Sequence, residues 1–237
     1  GSDAAFREGR LELDGSAVVP VAGTEARLSG HGSWSSYGGA PASRSGYSAD
    51  VGGTLPLMDT DGLMVEGGGR FLGFNAPAFP ARRSASTASA AFIAPQVRVE
   101  WSPSPSVSVH ATNTPGLHRG SLSALYTDNP YAAHAPSPRP TIYTTDAEAG
   151  LSLSLGPIQL RPVAGYRYAP SYRFFTTPSG PGRVGFGVEY ESARILHGGA
   201  EIALLGVSGV QASAGVSARD GVLVGDDAAI PYFSPVT

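Results

Sequence analysis

Apolar and polar residues alternate with a period of two along almost the whole chain, and no segment carries a helical period to set against it. Leu11, Leu13, Gly15, Ala17, Val19 and Val21 alternate with Glu12, Asp14 and Ser16. Ala26, Leu28, Gly30, Gly32 and Trp34 alternate with Glu25, Arg27, Ser29, His31 and Ser33. Successive side chains of a strand point to opposite faces. One face of the resulting sheet is apolar or small, and the other carries charge. Such a sheet suits a boundary between two media, with lipid on one side and water on the other.

Composition narrows this further. Charged residues are 15% of the 237, against roughly 25% in an average soluble domain. The 32 glycines and 20 prolines favour turns and strands over helices. Mean hydropathy is -0.03, too polar for a helical membrane protein and compatible with two faces that cancel. A net charge of -3 advertises no broad basic surface, so no nucleic-acid partner is expected. The basic residues are all arginine. That is either the imprint of a GC-rich genome or a polar wall that reads carboxylates and hydroxyls through planar guanidinium forks. Cysteine is absent, which removes disulfides, thiolate metal sites and thiol catalysis. No run of about eighteen apolar residues is present, so no transmembrane helix is expected. No signal peptide is visible, and Gly1–Ser2 reads as a cloning remnant.

The pattern predicts about ten strands, at 9–21, 24–37, 43–57, 62–74, 86–102, 105–113, 141–155, 158–169, 183–194 and 199–218. Most exceed the five or six residues usual in globular sheets, and reach the roughly 9–11 residues of a tilted membrane strand. Aromatics fall near the ends of the apolar rows: Trp34, Phe71, Trp101, Tyr168 and Tyr190. That is where an interfacial girdle belongs. Short turns are expected at Ala22–Gly23, Asp59–Thr60–Asp61, Pro103–Ser104, Gly156–Pro157 and near His197–Gly198. Longer links fall at 38–42, 75–85, 114–140 and 170–182. The 114–140 link, rich in proline and aromatics, is expected either to fold into the lumen or to cover the mouth, and within it Leu122 to Thr127 is read as a short extra strand. The tail 219–237 is read as a tail or partial strand.

These features resemble the outer-membrane β-barrel class. The resemblance covers about residues 9–218 and implies one all-β domain over 1–237, an antiparallel up-and-down transmembrane barrel of 10–12 strands. Short turns follow the odd-numbered strands, which would start the first strand at the outer rim unless a strand is missing before it, the strand count is off by one, or the long loops face inward. The terminal aromatic usual in this class is also missing. Both points lead us to expect further strands outside this chain, or a second chain completing the wall. Locally, Pro231-Tyr232-Phe233-Ser234-Pro235 is similar to an element in the barrels of cellulose-type exopolysaccharide export proteins. That similarity implies a glycan-conducting pore.

No sharp catalytic motif is present. The five histidines, His31, His110, His118, His134 and His197, show no metal-ligand spacing, so no metal and no cofactor are expected. No Gly-x-Ser-x-Gly elbow occurs. Gly67-Gly68-Gly69 lies inside a strand and does not lead into Gly-Lys-Ser, so it is no phosphate cradle. What remains is the polar face itself. Its expected pore-lining residues are Arg27, Glu66, Arg70, Arg98, Glu100, Arg161, Arg167, Glu189 and Glu191. The leading expectation is a non-enzymatic outer-membrane pore or export channel for small polar solutes or a glycan, with membrane lipid around it and a periplasmic partner as a further option. Alternatives are a plugged structural or partner-binding barrel, a hydrolase using His31 or His110, and a soluble carbohydrate-binding β-sandwich.

Overall fold

The computed structural model describes residues 7–38, 44–76, 88–118, 120–132, 138–177, 185–207 and 210–231. It contains twelve strands and one short helix: β1 (Arg7–Val21), β2 (Thr24–Gly38), β3 (Arg44–Thr60), β4 (Leu63–Ala76), β5 (Ala88–Ser104), β6 (Val107–Asn113), β7 (Gly116–His118), α1 (Leu122–Asp128), β8 (Thr141–Tyr143), β9 (Thr145–Leu155), β10 (Ile158–Thr176), β11 (Gly187–Val207) and β12 (Val210–Leu223). The wall runs β1-β2-β3-β4-β5-β6-β9-β10-β11-β12, each strand antiparallel to the next. This is the up-and-down meander expected of the alternation. Among the described residues, the strand path is open, with β1 and β12 at its ends.

Two-residue turns join the strands at one rim. At Asp61–Gly62 both residues have positive φ, 39° and 81°, which a type I′ hairpin demands and Asp-Gly supplies. The turn lies slightly later than the expected Asp59–Thr60–Asp61, because a register shift between Pro56 and Met58 lets β3 run to Thr60. Likewise β5 continues through Pro103–Ser104 to end at Ser104.

Several expectations need correcting. The hairpin expected near His197–Gly198 does not form there, and β11 runs straight through to Val207. The glycine pair 198–199 resembles a turn in sequence. However, Leu196, Gly198, Ala200 and Ile202 keep the alternation, and a Cβ on Gly199 would lie 2.8 Å from the Val216 carbonyl oxygen. The glycine there serves close strand approach. The expected strand 141–155 divides into β8 and β9, and β10 extends past 169 to Thr176 through a bulge between Ala169 and Tyr172. Leu122–Thr127 is helical: the Ser121 hydroxyl accepts from the Ala124 amide at 3.0 Å as an N-cap, and Leu125 is fully buried. The tail folds back on β12, with Ala229 bridged to Val222 and Ile230 buried. Most of the expected links at 38–42 and 75–85, part of 170–182, and His134, Val184 and Tyr232–Pro235 lie outside the described residues.

Burial is inverted relative to a soluble domain. The apolar rows are bare: Ile93 is 85% exposed, Leu13 69% and Leu57 68%. Trp34, Tyr47, Phe71 and Trp101 stand on the same outward face. The charged face is the covered one, with Asp50 5% and Glu66 7% exposed. A water-soluble sandwich does the opposite. Tyr190 departs from the expected outer girdle. Its hydroxyl accepts from the Arg139 amide at 2.9 Å, on the side of the segment between β6 and β9.

That segment is the one large departure from a plain meander. At the loop rim, β6 ends at Asn113, opposite Val97, while β5 continues. The Asn113 side-chain amide donates to the Pro95 carbonyl at 2.6 Å. The chain then turns onto the inner face as β7, α1 and β8. Leu117 and Ile142 pack on Leu72, Phe74, Ala90 and Phe92. β8 meets β10 at Ser171. A second cluster joins Tyr143 to Ala169, Phe174, Ala193, Ile195 and Leu223. The inserted segment thus fills the inner side of the loop-rim half, between β4–β5 and β10–β12.

Candidate functional site

The inner face of the turn-rim half is left as a charged wall. Register explains its layout. On β2–β5, Arg27 faces Thr54, Thr54 faces Gly68, and Gly68 faces Gln96. One row further towards the turns, Glu66 faces Arg98, Arg98 faces Thr112, and Thr112 faces Glu148. Residues two apart on each strand share the face, so opposite charges come within reach across strands.

Seven of the nine expected residues lie in this system of ion pairs. Arg27 Nη1 stands 3.3 Å from Glu66 Oε1. Arg98 Nε donates to Glu100 Oε1 at 2.9 Å along one strand. Arg161 Nη1 is 3.8 Å from Glu201 Oε2. Arg70 pairs with Asp50 through Nε, and Arg167 Nε donates to Asp146 at 2.7 Å. The remaining two, Glu189 and Glu191, lie apart from it. They are exposed at the loop-rim end of β11, flanking Tyr190, and Glu189 accepts from the Thr176 hydroxyl at 3.4 Å. Asp50, Asp146 and Glu201 complete three of the pairs. Alternation puts them on the right face, but only the register identifies their arginines.

The pairs divide into two kinds. Arg70–Asp50 and Arg167–Asp146 hold the insertion. The second oxygen of Asp50 accepts from the Leu117 amide at 3.3 Å. The Arg167 guanidinium lies 5.8 Å from the centre of the Tyr143 ring, within cation–π range. Tyr143 in turn takes His118 edge-on at 4.8 Å. Burial pushes the Tyr143 hydroxyl up to about 12. Burial pushes His118 below the ordinary histidine value, the Arg167 charge adds to this, and Asp146 opposes it. Arg27–Glu66, Arg98–Glu100 and Arg161–Glu201 instead border open space. One hollow of about 520 Å³ is lined by Arg27, Glu66, Gln96, Arg98 and Thr112. Another of about 660 Å³ is bordered by His110, Glu148, Arg161 and Glu201.

The histidines do not meet across the face. His31 Nδ1 donates to Asp14 at 2.6 Å, and His110 reaches Glu148. Among the described residues no group of three histidines or carboxylates could hold a metal, and no helix is long and apolar enough to cross a membrane, which leaves strand-crossing untouched.

No family model and no curated protein matches the sequence. Solved structures do share the fold. The chain is similar to the copper transporter OprC, with TM-score 0.68 and 12% identity over 98% of this chain and 41% of that one. It is similar to the FrpB iron transporter from Neisseria meningitidis (F3-3 variant), with TM-score 0.63 and 13% identity over 92% and 36%. It is also similar to the pyoverdine outer membrane receptor FpvA from Pseudomonas aeruginosa PAO1, with TM-score 0.57 and 14% identity over 95% and 37%. The chain spans about two fifths of the length of these proteins. Its fold is that of an outer-membrane β-barrel wall. The titles of these neighbours name transporters and a receptor, none of them a polysaccharide exporter.

Proposed function

We propose that this chain forms part of the wall of an outer-membrane transport barrel, with its charged inner face turned to the passing solute. The inverted burial carries this reading. An exposed face holding Ile93, Leu13 and Leu57 is costly in water and favourable in lipid, at about 25 cal/mol per Å² of apolar surface. In hydrocarbon, unpaired backbone groups at β1 and β12 are costly too. The reading therefore includes closure of these edges by further strands. Arg27, Glu66, Arg98, Glu100 and Arg161 line the path. Arg70 and Arg167 hold the insertion beside it. Glu189 and Glu191 stand at its loop-rim mouth. The solute is small and polar or charged, in line with neighbours whose titles name copper, iron and pyoverdine. The glycan reading leans on residues outside the described set.

A second reading has its own observation. The insertion occupies the loop-rim half, as expected of a plugged, partner-binding barrel. Planar-bilayer recording of the protein separates the two. Steps of ion current, altered in charge selectivity by Arg98→Glu, are expected for a path. Silent bilayers with protein shown to be inserted would overturn it. Current that appears only after removal of residues 120–140 would favour the plugged barrel. A chain that stays monodisperse without detergent would sink both.

A further inference from the structure

β1 and β12 end the strand path, and among the described residues no strand pairs one with the other. The short helix α1 nevertheless reaches strands on both sides of the sheet. Near its start, the Ser123 amide donates to Glu8 Oε2 of β1 at 3.4 Å. At its end, Asp128 pairs with Arg173 of β10. The first-turn amides of a helix have no partner within it. Ser121 takes the Ala124 amide, and β1 supplies the acceptor for Ser123. The helix has no acidic residue in its first turn and no basic one in its last. The wall provides a carboxylate at one end and a guanidinium at the other.

The helix is firmly seated between these contacts. Leu125 at its middle is fully buried. Its base is drawn tight: a Cβ on Gly120 would lie 2.2 Å from the Arg139 carbonyl carbon, so the two arms of the segment meet backbone to backbone. Just past the helix, the Phe186 amide donates to the Tyr131 carbonyl at 2.8 Å, and Ala132 bridges to Phe186 at the entry to β11. The Arg139 guanidinium stands 5.3 Å from the centre of the Tyr190 ring on β11. The Arg173 amide also donates to the Thr141 hydroxyl at 3.3 Å. Several contacts thus fasten the segment to β10 and β11, and Glu8 ties it to β1.

Dimensions show what this requires of the wall. Along the strand path, β2, β3, β4, β5, β6 and β9 lie between β1 and β10. Laid flat at about 4.8 Å per strand, that path would hold β1 and β10 roughly 34 Å apart. At about 1.5 Å rise per residue, Ser123 and Asp128 are only about 8 Å apart along the helix axis. Two side chains make up the rest of the span. The sheet is therefore rolled until β10 comes back within reach of β1. We propose that α1 is a cross-brace: it spans the lumen at the loop rim, holds β1 at a set distance from β10, and fixes the curvature of the wall there. The turn rim has no such member among the described residues, its inner face being the open charged wall. The brace stands whether or not the barrel conducts, and it sets the gap that edge-closing strands have to fill.

The test is a pair of electron–electron distance measurements on the full chain in detergent, with nitroxides on cysteines introduced into a sequence that has none. Leu11→Cys with Glu191→Cys reports the loop rim, and Val19→Cys with Ile158→Cys the turn rim, all four at exposed positions. Glu8→Ala with Asp128→Ala removes both ties. It is expected to lengthen the loop-rim distance by about one strand spacing, roughly 5 Å, and to leave the turn-rim distance unchanged. An unchanged loop-rim distance would overturn the brace, and so would an equal change at both rims. If that variant loses strand circular dichroism, charge reversal decides. Arg173→Asp is expected to lengthen the loop-rim distance, and adding Asp128→Arg to restore it. Equal distances in those two proteins would remove the brace.

Discussion

The two halves of the inner face are made from the same strands but follow different chemistry. Along β4 the face reads Glu66, Gly68 and Arg70 towards the turns, then Leu72, Phe74 and Ala76 towards the loops. Along β5 it reads Glu100, Arg98 and Gln96, then Ala94, Phe92 and Ala90. The switch falls where the insertion begins. Charge lines the half left open, and apolar side chains line the half the insertion covers. A wall facing water throughout would have no use for Leu72 at 0% exposure. The difference teaches that the insertion is packed as a small core within a charged wall.

Leucine truncation should break this comparison most sharply. Leu72→Ala empties a buried site under Ile142 and is expected to cost about 2–5 kcal/mol. Leu13→Ala, on the bare outer face, should cost well under that in detergent. Urea unfolding in micelles compares them, and similar losses would deny the insertion its core. Ion pairs give the next largest contrast. Asp50→Asn loosens Arg70 and the Leu117 amide where the carboxylate is nearly buried, for about 1–3 kcal/mol. Glu100→Gln, at 40% side-chain exposure, should fall within about 0.5 kcal/mol. Protease sensitivity of residues 120–132 would rise in the first variant and stay level in the second.

The smallest effect is one of pH. His118 has a folded-state pKa below the ordinary 6.5, so the unfolded chain takes up the proton first. Its contribution is complete above about pH 6.5 and declines as pH falls towards the lower folded value. Unfolding midpoints measured from pH 7.5 to 5 should drop, and His118→Phe should flatten the slope. An equal slope in that variant would remove His118 from the account.

The meander was legible because its signal is local: each strand states its two faces, and Ala22–Gly23 and Gly156–Pro157 state their turns. The ion pairs were half legible. Alternation places Arg161 and Arg167 on the polar face, but their partners, Glu201 and Asp146, sit on other strands and follow from register. The last hairpin was misplaced because Gly198–Gly199 looks the same whether it turns the chain or lets two strands approach. A place in the lumen was one of two expectations for 114–140, but the elements inside it were hidden because the helix has seven residues and β7 and β8 three each, too short for any period. A signal was nonetheless present. Leu72, Phe74 and Phe92 are apolar residues on the polar side of two neighbouring strands, and they mark where something must lie on top.

Pro95 gives the contact with Asn113 a further meaning. The N–H and C=O of a strand residue point to the same neighbour. The Pro95 carbonyl is turned towards β6, so the donor that proline lacks is one β6 would have received. Beyond Val97 the two strands therefore cannot zip further without a missing tooth. Proline and asparagine together act as the stop on a zipper. They fix where the wall opens, and so commit β7, α1 and β8 to the inner side of the wall, where a more permissive strand would have drawn the chain up into a taller sheet.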